Sequence, residues 1–374
     1  MIHTAKALAE LIERALDCER VALDTEFVWN RTYYPKLGVI QLALADGDCY
    51  LIDPVAIADL SPLGTLLEHP EVELILHDAQ QDLAILRRAT GAFPRNVFDT
   101  RCAAGLANMS STTSLAELLE QTLGVILDKT ETLTNWVRRP LSEDQLAYAI
   151  EDVRYLLEAR DVLQARVEEI GRGTWLAEEM AAYDDPQLYE ERDPREQFTR
   201  IKGTGRASSR ELAILRELTA WREKEAQRCD RPRNHVLADE VLVLLARRKP
   251  QSREELGRLR ALGNHRYDRY LLEQIRRGLA VPDEECPPRP RRPQLDKEVV
   301  ERKLSQSMDH LRRQSDAAQI DAPFVATRAE VHNLVINAVA ATPEDHRLLR
   351  GWRRDFIGED LYGIATCPEQ FGHA

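Results

Sequence analysis

The sequence contains no run of eighteen or more apolar residues, which excludes a membrane-spanning helix. Near its start stand Glu10, Glu13 and Asp17, not the basic and then apolar residues of a secretory leader, so no leader is expected. The six cysteines (Cys18, Cys49, Cys102, Cys229, Cys286 and Cys367) form no Cys-x-x-Cys pair, and none lies near a histidine at zinc-ligand spacing. That scatter predicts reduced thiols in a cytoplasmic protein. A Gly-x-x-x-x-Gly-Lys-Ser/Thr phosphate loop is also absent, which argues against a helicase and against a nucleotide cofactor.

What is present is a soluble composition over 374 residues, enough for two or three domains. The net charge of −12 argues against a nucleic-acid partner until its distribution is read. Residues 1–200 hold 19 Lys and Arg against 36 Asp and Glu, whereas residues 201–293 hold 22 against 14. An acidic block followed by a basic one is an asymmetry that keeps a nucleic-acid partner open despite the net charge. A solvated, Arg-rich helical surface is the plainer alternative.

Residues 1–170 alternate strand and helix signals. Helices are expected over 3–17, 60–69, 79–89, 100–108 and 114–121, and one long helix over 143–170 with Ser142 and Gln145 as its capping box. Strands are expected over 20–27, 37–45, 48–53, 74–77 and 97–98, the second and third joined by a turn at Asp46-Gly47-Asp48. The expectation is one mixed sheet with helices around it. Beyond Gly173 the strand signal nearly stops. Residues 175–200 read as helical and then irregular, and Gly203-Thr204-Gly205 as a hinge. Residues 207–280 read as all-helical, 282–293 as a proline-rich linker, and 296–362 as helical again.

The chemistry concentrates in Val21-Ala22-Leu23-Asp24-Thr25-Glu26-Phe27. Side chains two apart on a strand share a face, so Asp24 and Glu26 aim at one point in an apolar setting. Burying two carboxylates side by side is costly unless a divalent cation lies between them, although two solvated acids at a strand end would look the same. Asp82 follows at the start of a helix, ahead of apolar Leu83, Ile85 and Leu86, with Asp78 as the expected N-cap. Tyr148 and Asp152, four apart, share one helical face, and Glu151 is expected to point outward. His77 reads as a packed histidine, and Trp221 and Trp352 as core residues of helical domains.

Asp-x-Glu on a strand, a later Asp on a helix and Tyr-x-x-x-Asp on a third segment resemble the exonuclease motifs of the tyrosine subclass of DEDD 3′→5′ exonucleases. Thr32-Tyr33-Tyr34-Pro35-Lys36-Leu37, Ile40-Gln41-Leu42, Leu127-Asp128-Lys129, Asn135-Trp136 and Arg139-Pro140-Leu141-Ser142 extend the resemblance to the ribonuclease D family. Ala220-Trp221-Arg222 and Pro232-Arg233-Asn234 resemble an HRDC (helicase and RNase D C-terminal) domain, and residues around Gly351-Trp352-Arg353-Arg354 a second, more divergent one.

The resemblance implies an α/β RNase H-like (DnaQ-like) exonuclease domain with a mixed five-stranded sheet over 1–172. A connecting segment over 173–206, an HRDC domain over 207–281, a linker over 282–295 and an HRDC-like domain over 296–374 would follow. It implies Asp24, Glu26, Asp82 and Asp152 as ligands of two divalent cations, Mg²⁺ or Mn²⁺, with Tyr148 as the fifth catalytic position. Thr25, Tyr33, Tyr34, Lys36, Gln41, Lys129 and Arg139 become candidate RNA contacts; Trp29, Tyr33 and Tyr34 are candidates for stacking on bases, with packing inside the domain as the alternative. The implied activity is release of 5′-nucleoside monophosphates from RNA 3′ ends, transfer RNA precursors foremost, by a cytoplasmic monomer. A DNA-directed exonuclease and a catalytically silent RNA-binding protein are the competing readings; all five catalytic positions being filled argues against the second.

Overall fold

The computed structural model of the protein describes residues 1–127, 134–262, 265–289, 296–338 and 346–367. Lys129 therefore lies outside the described residues. Five strands form one sheet: β1 (Arg20–Val28), β2 (Lys36–Leu44), β3 (Cys49–Ile52), β4 (Glu73–Leu76) and β5 (Val97–Asp99). Their order is β3-β2-β1-β4-β5. β4 runs parallel to both β1 (Ala22 opposite Ile75) and β5 (Leu76 opposite Asp99), whereas β2 and β3 form an antiparallel hairpin (Ala43 opposite Cys49). The hairpin turns at Gly47, whose φ of +91° favours glycine. The mixed sheet is thus as expected.

Strand alternation divides the core into two layers. Val21, Leu23, Ile40, Leu42, Leu74 and Leu76 face one layer with α1 (Ala5–Leu16), α2 (Ser61–Leu67) and α3 (Gln80–Thr90). Ala22, Ala43, Ile75 and Phe98 face the other, with α4 (Thr100–Leu106), α5 (Leu115–Leu123), α6 (Glu143–Arg154), α7 (Leu156–Glu169) and α8 (Gly173–Ala181). This alternation fixes which side of β1 each acidic residue meets.

The long helix expected over 143–170 is two helices. α6 ends at Tyr155 (φ −107°, ψ 0°), and α7 starts at the next residue. The buried positions Ala149, Val153, Leu156, Ala159, Leu163 and Val167 keep a helical spacing through the break, which is why the pattern alone reads as one helix. α6 lies against β3, and α7 against α4 and α5. The capping box of Ser142 and Gln145 is present.

The described chain forms two compact units that do not follow chain order. The first comprises Met1–Phe27, Leu37–Tyr189 and Pro293–Ala374; the second comprises Val28–Lys36 and Glu190–Arg292. In the first unit, the C-terminal helices α14 (Lys297–Ala318), α15 (Ala322–Val325) and α16 (Arg328–Asn337) bury Leu304, Leu311, Val325 and Val331 in the same apolar layer as α4, α5 and α7, where Trp352 joins them. Trp175 of α8 stacks on Trp352 with ring centroids 4.6 Å apart. Arg172, 7% exposed, donates to the carbonyls of Leu106 and Ala318, tying the helical segment to the sheet domain.

The second unit is helical. α9 (Ser209–Cys229) and α13 (Asp268–Ala280) pack together with α10 (Arg233–Val236), α11 (Asp239–Arg248) and α12 (Arg253–Gly257) around Ile214, Leu218, Leu242 and Ile275. Gly278 allows the close approach: a Cβ there would lie 2.4 Å from the Ile214 Cα. No described helix is long and apolar enough to cross a membrane.

Candidate active site

Asp24 and Glu26 continue the Ala22 side of β1, the side covered by α6, and they meet Asp152 there. Carboxylate oxygens of Asp24, Glu26 and Asp152 all lie within 4.8 Å of one another. The cleft around them has a volume of about 280 Å³ and is lined also by His77, Asp82 and Tyr148. Thr25 points through the opposite face, with Val21 and Leu23, towards α3. Its Oγ1 donates to Oδ1 of Asp82, which is 9% exposed. The structure therefore brings three of the four expected acids into one cluster and binds the fourth to Thr25.

The electrostatics follow from burial and like charge. Asp24 is pushed well above the usual carboxylate range, first by burial and then by Asp82, Asp152 and Glu26. Burial, with Asp152 and Asp82, pushes Glu26 up to about 8. Burial likewise raises Asp82 to about 6 and Asp152 to about 7, the Thr25 and Tyr148 hydrogen bonds acting in the opposite direction. Tyr148 hydrogen-bonds Asp152, and its phenol is raised above its ordinary value, by burial first and then by the charges of Asp152, Glu26 and Asp24. Its ring lies 6.0 Å from that of Trp136.

The donor set consists of carboxylate oxygens, which suit a hard divalent cation. A cation there would relieve the mutual repulsion that raises these groups, so the residues fit the metal that the motif implies.

Two residues support the site from the core: Gln41, which the sequence offered as an RNA contact, and Asp99, which sequence reasoning missed. Gln41 is fully buried on β2, donates through Nε2 to Asp24 Oδ2 at 3.3 Å, and leaves its Oε1 without a partner. It supports Asp24 from the core, although the motif suggested an RNA contact. Asp99, 3% exposed at the end of β5, accepts from the backbone N–H groups of Asp78 (3.1 Å), Ala79 (2.9 Å), Arg101 (2.8 Å) and Cys102 (3.2 Å), and from the Tyr183 hydroxyl (2.6 Å). It caps α4 and fixes the β4–α3 turn that presents Asp82. Its signal in the sequence is an acid closing the apolar run Val97-Phe98, a pattern shared with many exposed strand ends.

Asp78, the N-cap expected from the sequence, does not cap α3: the N-cap position is Ala79, without a side-chain cap. Its backbone is left-handed (φ +61°), which turns its carboxylate to Arg101 while Asp99 takes the free N–H groups. His77 is held between Thr100 Oγ1 (3.0 Å) and the Thr113 carbonyl (3.2 Å), as befits a packed histidine.

Among the described residues, the RNA-contact candidates Arg139, Tyr33, Tyr34 and Lys36 have internal partners. Arg139 forms a bidentate ion pair with buried Asp53 (2.5 and 2.9 Å) and donates to the Gly38 carbonyl at 2.6 Å. Tyr33 donates its hydroxyl to Glu223 at 2.8 Å, Tyr34 hydrogen-bonds Glu191, and Lys36 lies 3.5 Å from Asp230. These last three belong to the second unit.

Comparison with known proteins agrees with this geometry. A family described as 3′-5′ exonuclease matches residues 1–168, and the HRDC domain matches residues 211–275. Fold, acidic cleft and family match define the class: the protein is a 3′–5′ exonuclease. A ribonuclease D of Desulfotalea psychrophila is 37% identical over 97% of both chains, and one of Acidiphilium cryptum is 34% identical over 96% of this chain and 91% of its own. The crystal structure of Escherichia coli RNase D, described as an exoribonuclease involved in structured RNA processing, superposes with a TM-score of 0.89 at 31% identity over 99% of both chains. The chain belongs to the ribonuclease D family and is an exoribonuclease.

Proposed function

We propose that Asp24, Glu26, Asp82 and Asp152 hold two divalent cations, Mg²⁺ or Mn²⁺, and that Tyr148 is the fifth catalytic residue, releasing 5′-nucleoside monophosphates from RNA 3′ ends. The observation that carries this reading is the meeting of carboxylates from two distant segments, Asp24 and Glu26 with Asp152, within 4.8 Å. Held by these carboxylates, the cations would supply acidity to the attacking water and charge neutralisation at the leaving 3′ oxygen.

The chain's own residues supply position. Gln41 holds Asp24 in place from the core. Tyr148 stays protonated at neutral pH, since burial and its acidic neighbours raise its phenol. A protonated phenol is a hydrogen-bond donor, so its role is to orient the attacking water and not to remove its proton.

The substrates we propose are transfer RNA precursors and other structured RNAs, by extension from the E. coli relative's description as a structured-RNA processing enzyme. The basic block over 201–293 supplies sequence-tolerant phosphate contacts. We read residues 296–374 as a second HRDC-like domain and the protein as a cytoplasmic monomer; no disulfide forms among the described residues, in keeping with a reducing compartment.

The test is incubation with 3′-labelled transfer RNA precursor, single-stranded RNA and DNA, with and without Mg²⁺. Mononucleotide release from the RNAs only with metal is the expected result. RNA bound but never shortened would overturn the reading.

A further inference from the structure

The nine residues Val28–Lys36, which run from the last residue of β1 to the first of β2, fold with the helical unit. They are firmly attached there. The backbone N–H of Tyr33 donates to Asp230 at 3.1 Å, and its hydroxyl donates to Glu223 at 2.8 Å. Arg233 pairs with the same Glu223 oxygen at 2.9 Å and lies 5.5 Å from the Tyr33 ring centroid. These contacts fix the segment that carries Trp29. The Trp29 Nε1–H donates to the Tyr33 carbonyl at 3.0 Å, yet the side chain is 55% exposed. A large aromatic held by its one polar atom, with its ring left in solvent, is an available stacking surface.

Trp29 lines a cleft of about 720 Å³ with Arg200, Arg233, Asn234 and His235. Its floor is charged and buried: Arg222 is 3% exposed and Glu223 1%. Each keeps one polar atom without a hydrogen bond, Nε of Arg222 and Oε1 of Glu223. Arg222 is otherwise paired with Asp239 at 2.6 Å and Glu223 with Arg233, so the floor is nearly neutral. The exposed Arg200 makes no ion pair among the described residues, which leaves the cleft cationic at its rim. A stacking surface, a rim of guanidinium groups and a polar floor together match one chemistry, a planar base joined to a phosphate. An acidic peptide would use the guanidinium groups but not the ring.

We propose that this cleft binds a nucleotide of single-stranded RNA, with the base stacked on Trp29 and the phosphate on Arg200 and Arg233. The site is separate from the acidic cleft and rests on reading the chain as an RNA enzyme. It gives the helical unit a defined grip on the strand, beyond diffuse attraction between charges.

The test is the affinity of the full chain for a fluorescein-labelled twelve-nucleotide single-stranded RNA in EDTA, where no cleavage intervenes. Trp29→Ala should weaken binding roughly five- to a hundredfold, the range set by loss of one base–aromatic stack. Trp29→Phe should stay within about threefold of wild type. Arg200→Ala should lower the slope of log affinity against log salt by about one contact. Photo-crosslinking of 4-thiouridine RNA should map to Trp29 or its neighbours in the cleft. Unchanged affinity in Trp29→Ala with unchanged melting temperature would overturn the proposal. Mononucleotide release with Mg²⁺ scores the acidic site independently, so failure of either reading is recognisable.

Discussion

Thr25 donates its hydroxyl hydrogen to Asp82 from the face of β1 opposite Asp24 and Glu26. One strand thus positions three acids, two directly and the third through a hydroxyl. Thr25→Val keeps the shape and removes the donor. A hydrogen bond to a charged group contributes about 1.5–3 kcal/mol, and its loss leaves Asp82 buried without that donor. The variant should need about tenfold more Mg²⁺ for half-maximal mononucleotide release, and Thr25→Ser should restore most of the difference. A metal titration of the two variants checks this.

Asp24→Asn and Asp152→Asn each remove one member of the carboxylate cluster. Turnover should fall by at least a thousandfold, a loss of about 4 kcal/mol in transition-state stabilisation. The metal-free variants should melt at or above the wild-type temperature at pH 8, because the repulsion is relieved, and should lack the upward shift expected of wild type on adding Mg²⁺. Scanning calorimetry with and without metal separates these effects from unfolding.

The pH dependence has a definite sign. Glu26, Asp152 and Asp82 have folded values near 8, 7 and 6, against ordinary values of 4.5 and 3.8. Groups raised in the fold bind more protons folded than unfolded. Their contribution is fully present below about pH 4 and is lost as pH rises through the folded values. Metal-free protein should therefore lose stability between pH 5 and 8, and saturating Mg²⁺ should flatten that decline. A urea midpoint that rises over this range without metal would contradict the assignment.

Tyr148→Phe deletes the hydroxyl that hydrogen-bonds Asp152 and leaves the ring beside Trp136. The rate of the chemical step should drop by about 10²-fold, with RNA affinity in EDTA within twofold of wild type. Single-turnover kinetics distinguish this from loss of binding.

A chain ending at Arg289 should be unstable, not merely poor at gripping RNA. The missing helices carry Leu304, Leu311, Val325 and Trp352, which share one apolar layer with α4, α5 and α7. Arg172 would also lose the Ala318 carbonyl that it meets in the buried layer. The expected result is a melting temperature at least 10 °C lower and early proteolysis of the sheet domain. Cooperative unfolding at the wild-type temperature would refute it.

Much of this was legible in the sequence, for a physical reason. Period-two alternation in β1 puts Asp24 and Glu26 on one side, and a spacing of four unites Tyr148 with Asp152. Both are local properties. The break at Tyr155 was hidden because the buried stripe continues through it. Asp99, Gln41 and the Arg139–Asp53 pair act across 17 to 86 residues of chain, and no local pattern marks such partners. The same holds for the Val28–Lys36 segment, whose tyrosines and lysine looked like ligand contacts and have partners inside the helical unit.

That segment also limits how this enzyme could be rearranged. Nine residues from within the catalytic sequence complete the helical unit, so the HRDC region is not a detachable bead. Excising it at its own chain ends would strip it of Trp29 and Tyr33, and transplanting it would require a donor peptide from another stretch of sequence. Recombination at those ends would leave the helical unit incomplete and the catalytic part carrying a segment without its partners.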